Sequence, residues 1–303
     1  GLPLGSSESH VVSRPFWGIV MAWAEGSAPG SEERSVESSL EPGRILLVDD
    51  LALFSRLLPV RLGALGREVE AGANVEEARN YLAAHRPALI LLHVIMPGVD
   101  GFAFCRELKA APRTRDIPVI MLTDLKANAH DRSLEAGADD YMPKRIDDAV
   151  MRIRVQLHMN LLELRRKAKG APCPEVPASI LVASASPILK AQLPAQFAQE
   201  GHSARIVEKA SEVASSIRPQ DRLLVMDMDL GMGEMHEVLA EIRMDPEKAG
   251  LPILLLCAKE QLEELTALEF MVDDVLWKPL NAQVSRHRLR FLLELGLRTF
   301  GPA

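Results

Sequence analysis

Asp49, Asp50, His93, Thr123 and Lys144 are polar residues set among apolar runs, and a second set, Asp227, Cys257 and Lys278, reproduces part of their spacing. His93 and Thr123 are 30 residues apart, and Thr123 and Lys144 are 21 apart; the same intervals run from Asp227 to Cys257 and from Cys257 to Lys278. The chain therefore carries one chemical site twice. Gathered in a pocket, three carboxylates would hold a hard divalent cation, the lysine would pair with phosphoryl oxygens, and the threonine hydroxyl would donate to another oxygen. Neither copy is whole. The first has His93 where the second has Asp227, and the second has Ser184 and Ala185 where the first has Asp49 and Asp50.

Such residues meet when they end the strands of a parallel sheet, and the apolar pattern supplies one. Short runs at Ile45–Val48, Glu68–Ala71, Ala88–His93, Pro118–Leu122 and Asp140–Met142 alternate with helical spacing over Leu51–Leu65, Val75–His85, Phe102–Ala110, Lys126–Ala136 and a long stretch from Asp147. The strands do not alternate polar with apolar, which implies burial on both faces between layers of helices. Residues 180–298 repeat the order, with strands at Ile180, Ala204, Arg222, Pro252 and Asp274 and a final helix after Asn281. The repeat offset is 135 at the first strand and 134 at the polar positions, so at most one insertion separates the copies. Between them, RRKAK reads as a solvated helix end and APCPEVPAS, with three prolines in six residues, as a linker. The expected division is a disordered leader at 1–42, one domain at 43–168, a linker at 169–178 and a second domain at 179–303.

The 303 residues are 48% hydrophobic and 25% charged, with mean hydropathy near zero, which suits two packed cores. A net charge of −7 gives no overall basic surface, so nucleic acid is not an expected partner. Cys105, Cys173 and Cys257 form no CxxC pair, and neither a disulfide framework nor a structural zinc site is indicated. A reducing cytoplasm is the expected location. The apolar segment Pro15–Ala24, although preceded by Arg14 in the manner of a weak signal peptide, is about ten residues long, and a membrane span needs about 20.

The runs ILLVDD, LILLHVIMPGVDGF, PVIMLT and GADDYMPK, followed by IDD and a long helix, resemble the receiver domain of two-component response regulators. The tandem arrangement, over roughly residues 43–300, resembles the receiver pair that precedes the cyclase domain in PleD-type diguanylate cyclases. This resemblance implies an α/β fold of two tandem flavodoxin-like doubly wound sheets, each of five parallel strands. It implies that the strand-three aspartate accepts phosphate from a histidine kinase and that the acidic pair binds magnesium. The threonine and an aromatic residue on strand five then respond to the phosphate, and Tyr141 fits the aromatic position. The face formed by helix four, strand five and helix five commonly mediates dimerisation in this family.

The departures from that pattern shape the functional expectation. His93 cannot form the acyl phosphate and offers no hard oxygen ligand, so the first copy is not expected to be phosphorylated, and Asp49 and Asp50 are a remnant magnesium pair. Two carboxylates beside an imidazole favour its cationic form. An internal ion pair in place of the metal is therefore expected, with a transition-metal site of Asp49, Asp50 and His93 as the alternative. Arg145 stands where the family has a proline after the lysine, which puts the usual cis bond there in doubt. In the second copy Asp227, Lys278 and Pro279 are kept, but without an acidic pair magnesium binding should be weak. Cys257 replaces the responsive hydroxyl, and Val275 the aromatic. Asp227 is then either a residual acceptor or a retained carboxylate paired with Lys278. Asp229 is expected outside the pocket, Cys257 is expected to be a buried small residue, and His85, His130 and His158 carry no constellation.

These features imply no catalytic residues, no enzyme activity and no resident cofactor beyond weakly held magnesium. The expected function is that of a signalling protein of two degenerate receiver-like domains, acting as an interaction or dimerisation adaptor. Its partners would be proteins: a histidine kinase, an output domain or a second copy of the chain. Two alternatives stand beside this: a phosphorelay receiver using Asp227, and the receiver half of a diguanylate cyclase without its catalytic domain. No GGDEF-like glycine turn follows the last helix, so cyclic di-GMP synthesis is not expected of this chain.

Overall fold

The apolar runs form strands buried between helices in a computed structural model that describes residues 41–123, 129–173 and 176–301. The first half runs β1 (Glu41–Val48), α1 (Ala52–Arg61), β2 (Glu68–Gly72), α2 (Val75–Ala84), β3 (Pro87–His93), α3 (Gly101–Ala110), β4 (Val119–Thr123), α4 (Ala129–Glu135), β5 (Asp140–Pro143) and α5 (Asp148–Lys167). All five strands are parallel, in the order β2-β1-β3-β4-β5, with Ile45 registered on both Val69 and Leu89. This is the flavodoxin-like winding, which reverses direction between β1 and β3 and so opens a crevice beyond their carboxyl ends. Ile45–Val48, Leu89–Leu92 and Val119–Leu122 are essentially sealed from solvent, which is why these strands carry no polar alternation.

The second half runs β6 (Ser179–Ala183), α6 (Pro187–Gln199), β7 (Ser203–Val207), α7 (Val213–Ser216), β8 (Asp221–Asp227), α8 (Met232–Met244), β9 (Ile253–Cys257), α9 (Leu262–Leu268), β10 (Asp274–Trp277) and α10 (Ala282–Phe300). Its sheet is also parallel, and its order, β7-β6-β8-β9-β10, repeats the first. The repeat is imperfect at α7. That helix is a single turn after a 3-10 segment and ends at Ser216, ahead of Ile217 in extended backbone and Pro219. In the first half, α1 stops at Arg61 instead of reaching Leu65. Pro59 lacks an N–H to donate within the helix, and Gly63 and Gly66 turn the chain through a 3-10 segment, Gly66 at φ +62°.

Side chains fix several helix starts. Asn74 accepts from the Glu77 amide and Asp147 from that of Ala149, while Asn281 accepts from Gln283 and Val284.

The long helix α5 is apolar on two stripes, each with a different partner. Met151, Val155, Met159 and Leu162 join the core of the first sheet. Val150, Ile153, Leu157 and Leu161 are buried with residues of the second half, and α5 packs on α10. The RRKAK segment is therefore only partly a solvated helix end: Arg165 pairs with Glu294 of α10 at 2.6 Å, while Arg166 and Lys167 stay exposed. Among the described residues no helix is long and apolar enough to cross a membrane. The leader at 1–42, including the apolar segment Pro15–Ala24, lies outside the described residues except for its last two positions.

Candidate functional site

The crevice of the first sheet is built from strand ends. Asp49 follows β1, donates its amide to Gly72 O at 3.1 Å, and is 1% exposed. Its Oδ1 accepts from the Leu51 amide at 2.9 Å. Lys144, just past β5, places Nζ 3.0 Å from Asp49 Oδ1 and 2.7 Å from Oδ2, with its ammonium 5.3 Å from the centre of the Phe54 ring. His93 closes β3 with Nδ1 3.0 Å from Asp50 Oδ1 and 3.7 Å from Asp49 Oδ1. Thr123 is buried at the end of β4, where its carbonyl accepts from the Lys144 amide at 3.1 Å. Tyr141 sits half-buried in β5, in register with Met121 of β4.

One glycine keeps this crevice tight. A Cβ on Gly101 would lie 2.3 Å from His93 O and 2.8 Å from Val94 O. The first turn of α3 can thus lie against the strand end only with hydrogen at this position.

Magnesium asks for an all-oxygen ligand set and keeps several waters. Here only Asp49 and Asp50 offer carboxylates; Lys144 already meets the first and His93 the second. The set does not fit a resident magnesium ion. The Lys144–Arg145 peptide is trans and Lys278–Pro279 is cis; Lys144 reaches Asp49 all the same.

In the second sheet Asp227 is 1% exposed and both of its oxygens are engaged. Ser184 Oγ donates to Oδ2 at 2.7 Å, and Lys278 Nζ to Oδ1 at 2.8 Å. Asp229 is exposed, yet it reaches the rim of the pocket. A 3-10 turn over Met228–Leu230 carries it back, so that its Oδ2 lies 2.7 Å from the same Lys278 while Gln261 donates to its Oδ1. Burial would push the Lys278 ammonium down, but its bonds to Asp227 and Asp229 hold it above its usual value. Burial pushes the Cys257 thiol up to about 12. It is therefore neutral and unreactive at ordinary pH. Val275, at the repeat position of Tyr141, is fully buried.

A third polar constellation lies between the two halves, where Asp140 and Asp274 begin β5 and β10 and are 0% exposed. Arg288 of α10 donates through both terminal nitrogens to Asp140, with Nη2 2.5 Å from Oδ1. Arg154 of α5 stands 3.7 Å from Asp274. The two aspartates are 134 residues apart, and so are the two arginines. Each arginine thus crosses to the other half's aspartate, as in an isologous contact between two copies of one surface. Burial alone would raise the Asp140 carboxyl, but Arg288, His158 and Arg154 hold it well below its usual value.

His158 is therefore not isolated. Its Nε2 lies 3.2 Å from Asp140 Oδ2, and its ring meets Phe291 of α10 edge-on. His85 stacks on Tyr81, and the side chain of His130 lies outside the described residues. Around this centre Arg152 pairs with Glu269 at 2.6 Å, and His287 Nε2 lies 2.8 Å from Asp139 O. Reading the sequence by strand ends missed this cluster. The signal that could have found it was the 134-residue offset, applied to Asp140 and Arg154 as well as to the pocket residues.

Residues 45–156 match the response regulator receiver domain family. This part of the chain is a receiver domain. Response regulator PleD of Caulobacter vibrioides is 31% identical over 267 residues, covering 82% of this chain and 58% of PleD. The probable transcriptional regulator ycf27 of Cyanophora paradoxa is 40% identical over 115 residues, 37% of this chain and 46% of that protein. The chain spans about half the length of the curated relatives it matches. Among solved structures, the receiver domain of a signal transduction histidine kinase from Syntrophus aciditrophicus shares 40% identity, with a TM-score of 0.35 over 40% of this chain and 89% of that one.

Proposed function

We propose that the chain is a non-enzymatic signalling protein of two receiver-like halves whose pockets are not set to take phosphate, and that it works by binding other proteins. The observation that carries this reading is the commitment of both acceptor positions. His93 has no carboxylate to acylate and lies against Asp50, while Asp227 has Ser184 on one oxygen and Lys278 on the other. Phosphoryl transfer needs metal-assisted charge neutralisation at the acceptor, and Ser184 and Ala185 occupy the positions from which the second pocket would supply it.

The repeated strand order and the 134-residue spacing support a receiver-like second half. The crossed pairs Arg288–Asp140 and Arg154–Asp274 support the view that α5 and α10, with β5 and β10, use up within the chain a face that could otherwise join two copies. A partner kinase or output domain would then dock on other surfaces. Incubation with a phosphodonor and magnesium, followed by phosphate-sensitive electrophoresis, tests the reading, and no shifted band is the expected result. A band abolished by Asp227→Ala would establish instead the relay reading, which draws support from the 2.8 Å contact of Lys278 with Asp227. The identity to PleD over 58% of its length supports a further reading of the chain as the receiver portion of a longer protein, and the reading frame beyond Ala303 would decide it.

A further inference from the structure

We propose that the crevice of the first sheet binds a transition-metal dication of the zinc, cobalt or nickel class through Asp49, Asp50 and His93. One ligand atom from each of the three lies within 4.8 Å of the others. His93 Nδ1 is 3.0 Å from Asp50 Oδ1 and 3.7 Å from Asp49 Oδ1. Ligands about 2.1 Å from a shared ion stand about 3.0 Å apart at right angles and about 3.4 Å apart at tetrahedral angles, so a small adjustment of the two carboxylates brings them and His93 Nδ1 onto one ion.

The donor set sets the choice of metal. An imidazole nitrogen with two carboxylates favours zinc, cobalt and nickel over magnesium, because the nitrogen is the softer ligand and the set lacks the third hard oxygen. The substitution that removes the acyl-phosphate acceptor is thus the one that shifts the metal preference.

The pocket sets two carboxylates, Asp49 and Asp50, against one ammonium, Lys144, which favours a further cation there. The ligands are also pre-positioned: Asp49 is held by the Leu51 amide, and the backbone of His93 is backed by Gly101. Such orienting contacts raise metal affinity. Lys144 can stay on Asp49 Oδ2, 2.7 Å away, while Asp49 Oδ1, the oxygen nearer His93, gives up its 3.0 Å contact with Lys144 and serves as the ligand.

This inference does not depend on the absence of phosphorylation, and each has its own readout. The full chain, stripped with a chelator, is titrated with cobalt while its visible absorption is followed, and with zinc and magnesium by calorimetry. The expected result is one cobalt per chain and zinc at least tenfold tighter than magnesium. His93→Ala should weaken zinc and cobalt at least tenfold, and His93→Asp should shift the preference towards magnesium. Asp50→Asn, at a partly buried position, gives a second measure should His93→Ala fail to fold. The proposal is overturned if the wild-type chain binds no cobalt, if magnesium matches zinc, or if the folded variants bind as the wild type does.

Discussion

Arg288 near the end of the chain and Asp140 in its first half, 148 residues apart, form a doubly hydrogen-bonded ion pair that is wholly buried between the two sheets. Arg288 is also the largest fully buried side chain among the described residues. Its removal leaves a buried carboxylate held by His158 and the Tyr141 amide, with the more distant Arg154 as the nearest remaining guanidinium. Arg288→Met should therefore cost about 3–5 kcal/mol, read from the urea midpoint. Arg154→Met should cost less, because Asp274 keeps Arg288 at 3.6 Å. Equal losses from the two variants would show that the pairs are not unequal in the way their distances indicate.

The same aspartate sets an acid limit on stability. Its folded-state value is depressed by Arg288, so it stays charged in the folded chain at pH values where the unfolded chain, with an ordinary value near 3.9, has begun to bind protons. The contribution is fully present above about pH 5 and is lost as the pH falls through 4 and below. Glu294, held down by Arg165 and Arg298 against the effect of burial, acts in the same direction. Denaturation midpoints should be flat from pH 8 to about 6 and fall below about 5, with a shallower fall in Asp140→Asn.

Returning a carboxylate to the first pocket should restore its lost chemistry, because Asp49, Asp50, Thr123 and Lys144 remain in place. His93→Asp in an Asp227→Ala background is expected to give a band that is slowed on phosphate-sensitive electrophoresis after treatment with acetyl phosphate and magnesium. The Asp227→Ala chain alone should give none. Identical patterns from the two would mean that the pocket has lost more than its acceptor.

Thiol reactivity should single out one cysteine. Cys105 and Cys257 are buried, with their thiols pushed up to about 11 and about 12, whereas Cys173 is partly exposed. A thiol-reactive disulfide at pH 8 should modify Cys173 first and reach the other two only on unfolding. Peptide mapping by mass spectrometry reads the order directly.

Close contact between α10 and the second sheet predicts a steric penalty. A Cβ on Gly296 would lie 2.0 Å from Arg222 O, with other backbone atoms of Arg222 close behind. Gly296→Ala should lower stability by about 1–3 kcal/mol, whereas Gly233→Ala, with open space around it in α8, should be neutral or slightly stabilising. The difference between their thermal midpoints is the measurement.

What the sequence discloses follows from the range of the forces involved. A strand sealed on both faces must be apolar throughout, so Ile45–Val48 and Leu89–Leu92 announce themselves locally, and the residues that end them fall in the crevice by the geometry of a parallel sheet. The contact of exposed Asp229 with Lys278 is less legible because it depends on one 3-10 turn, which no periodicity encodes. The early end of α1 was legible in Pro59 and Gly63, residues that override the apolar spacing running on to Leu65. The crossing of Arg154 and Arg288 depends on how two sheets pack together. Nothing within either half states that arrangement, although the equal offsets of the arginines and aspartates hinted at it.

The crossed arginine pairs have a kinetic meaning. Two separate proteins meeting through such a face would associate in a second-order step, tuned by their abundance. Here both surfaces are on one polypeptide, each facing the other at an effective concentration of roughly millimolar or more. Dilution does not open the pair, and expression level does not close it. A competitor for this face must outbind a tethered neighbour, so any input that separates the halves has to supply its free energy through a preference for the open form.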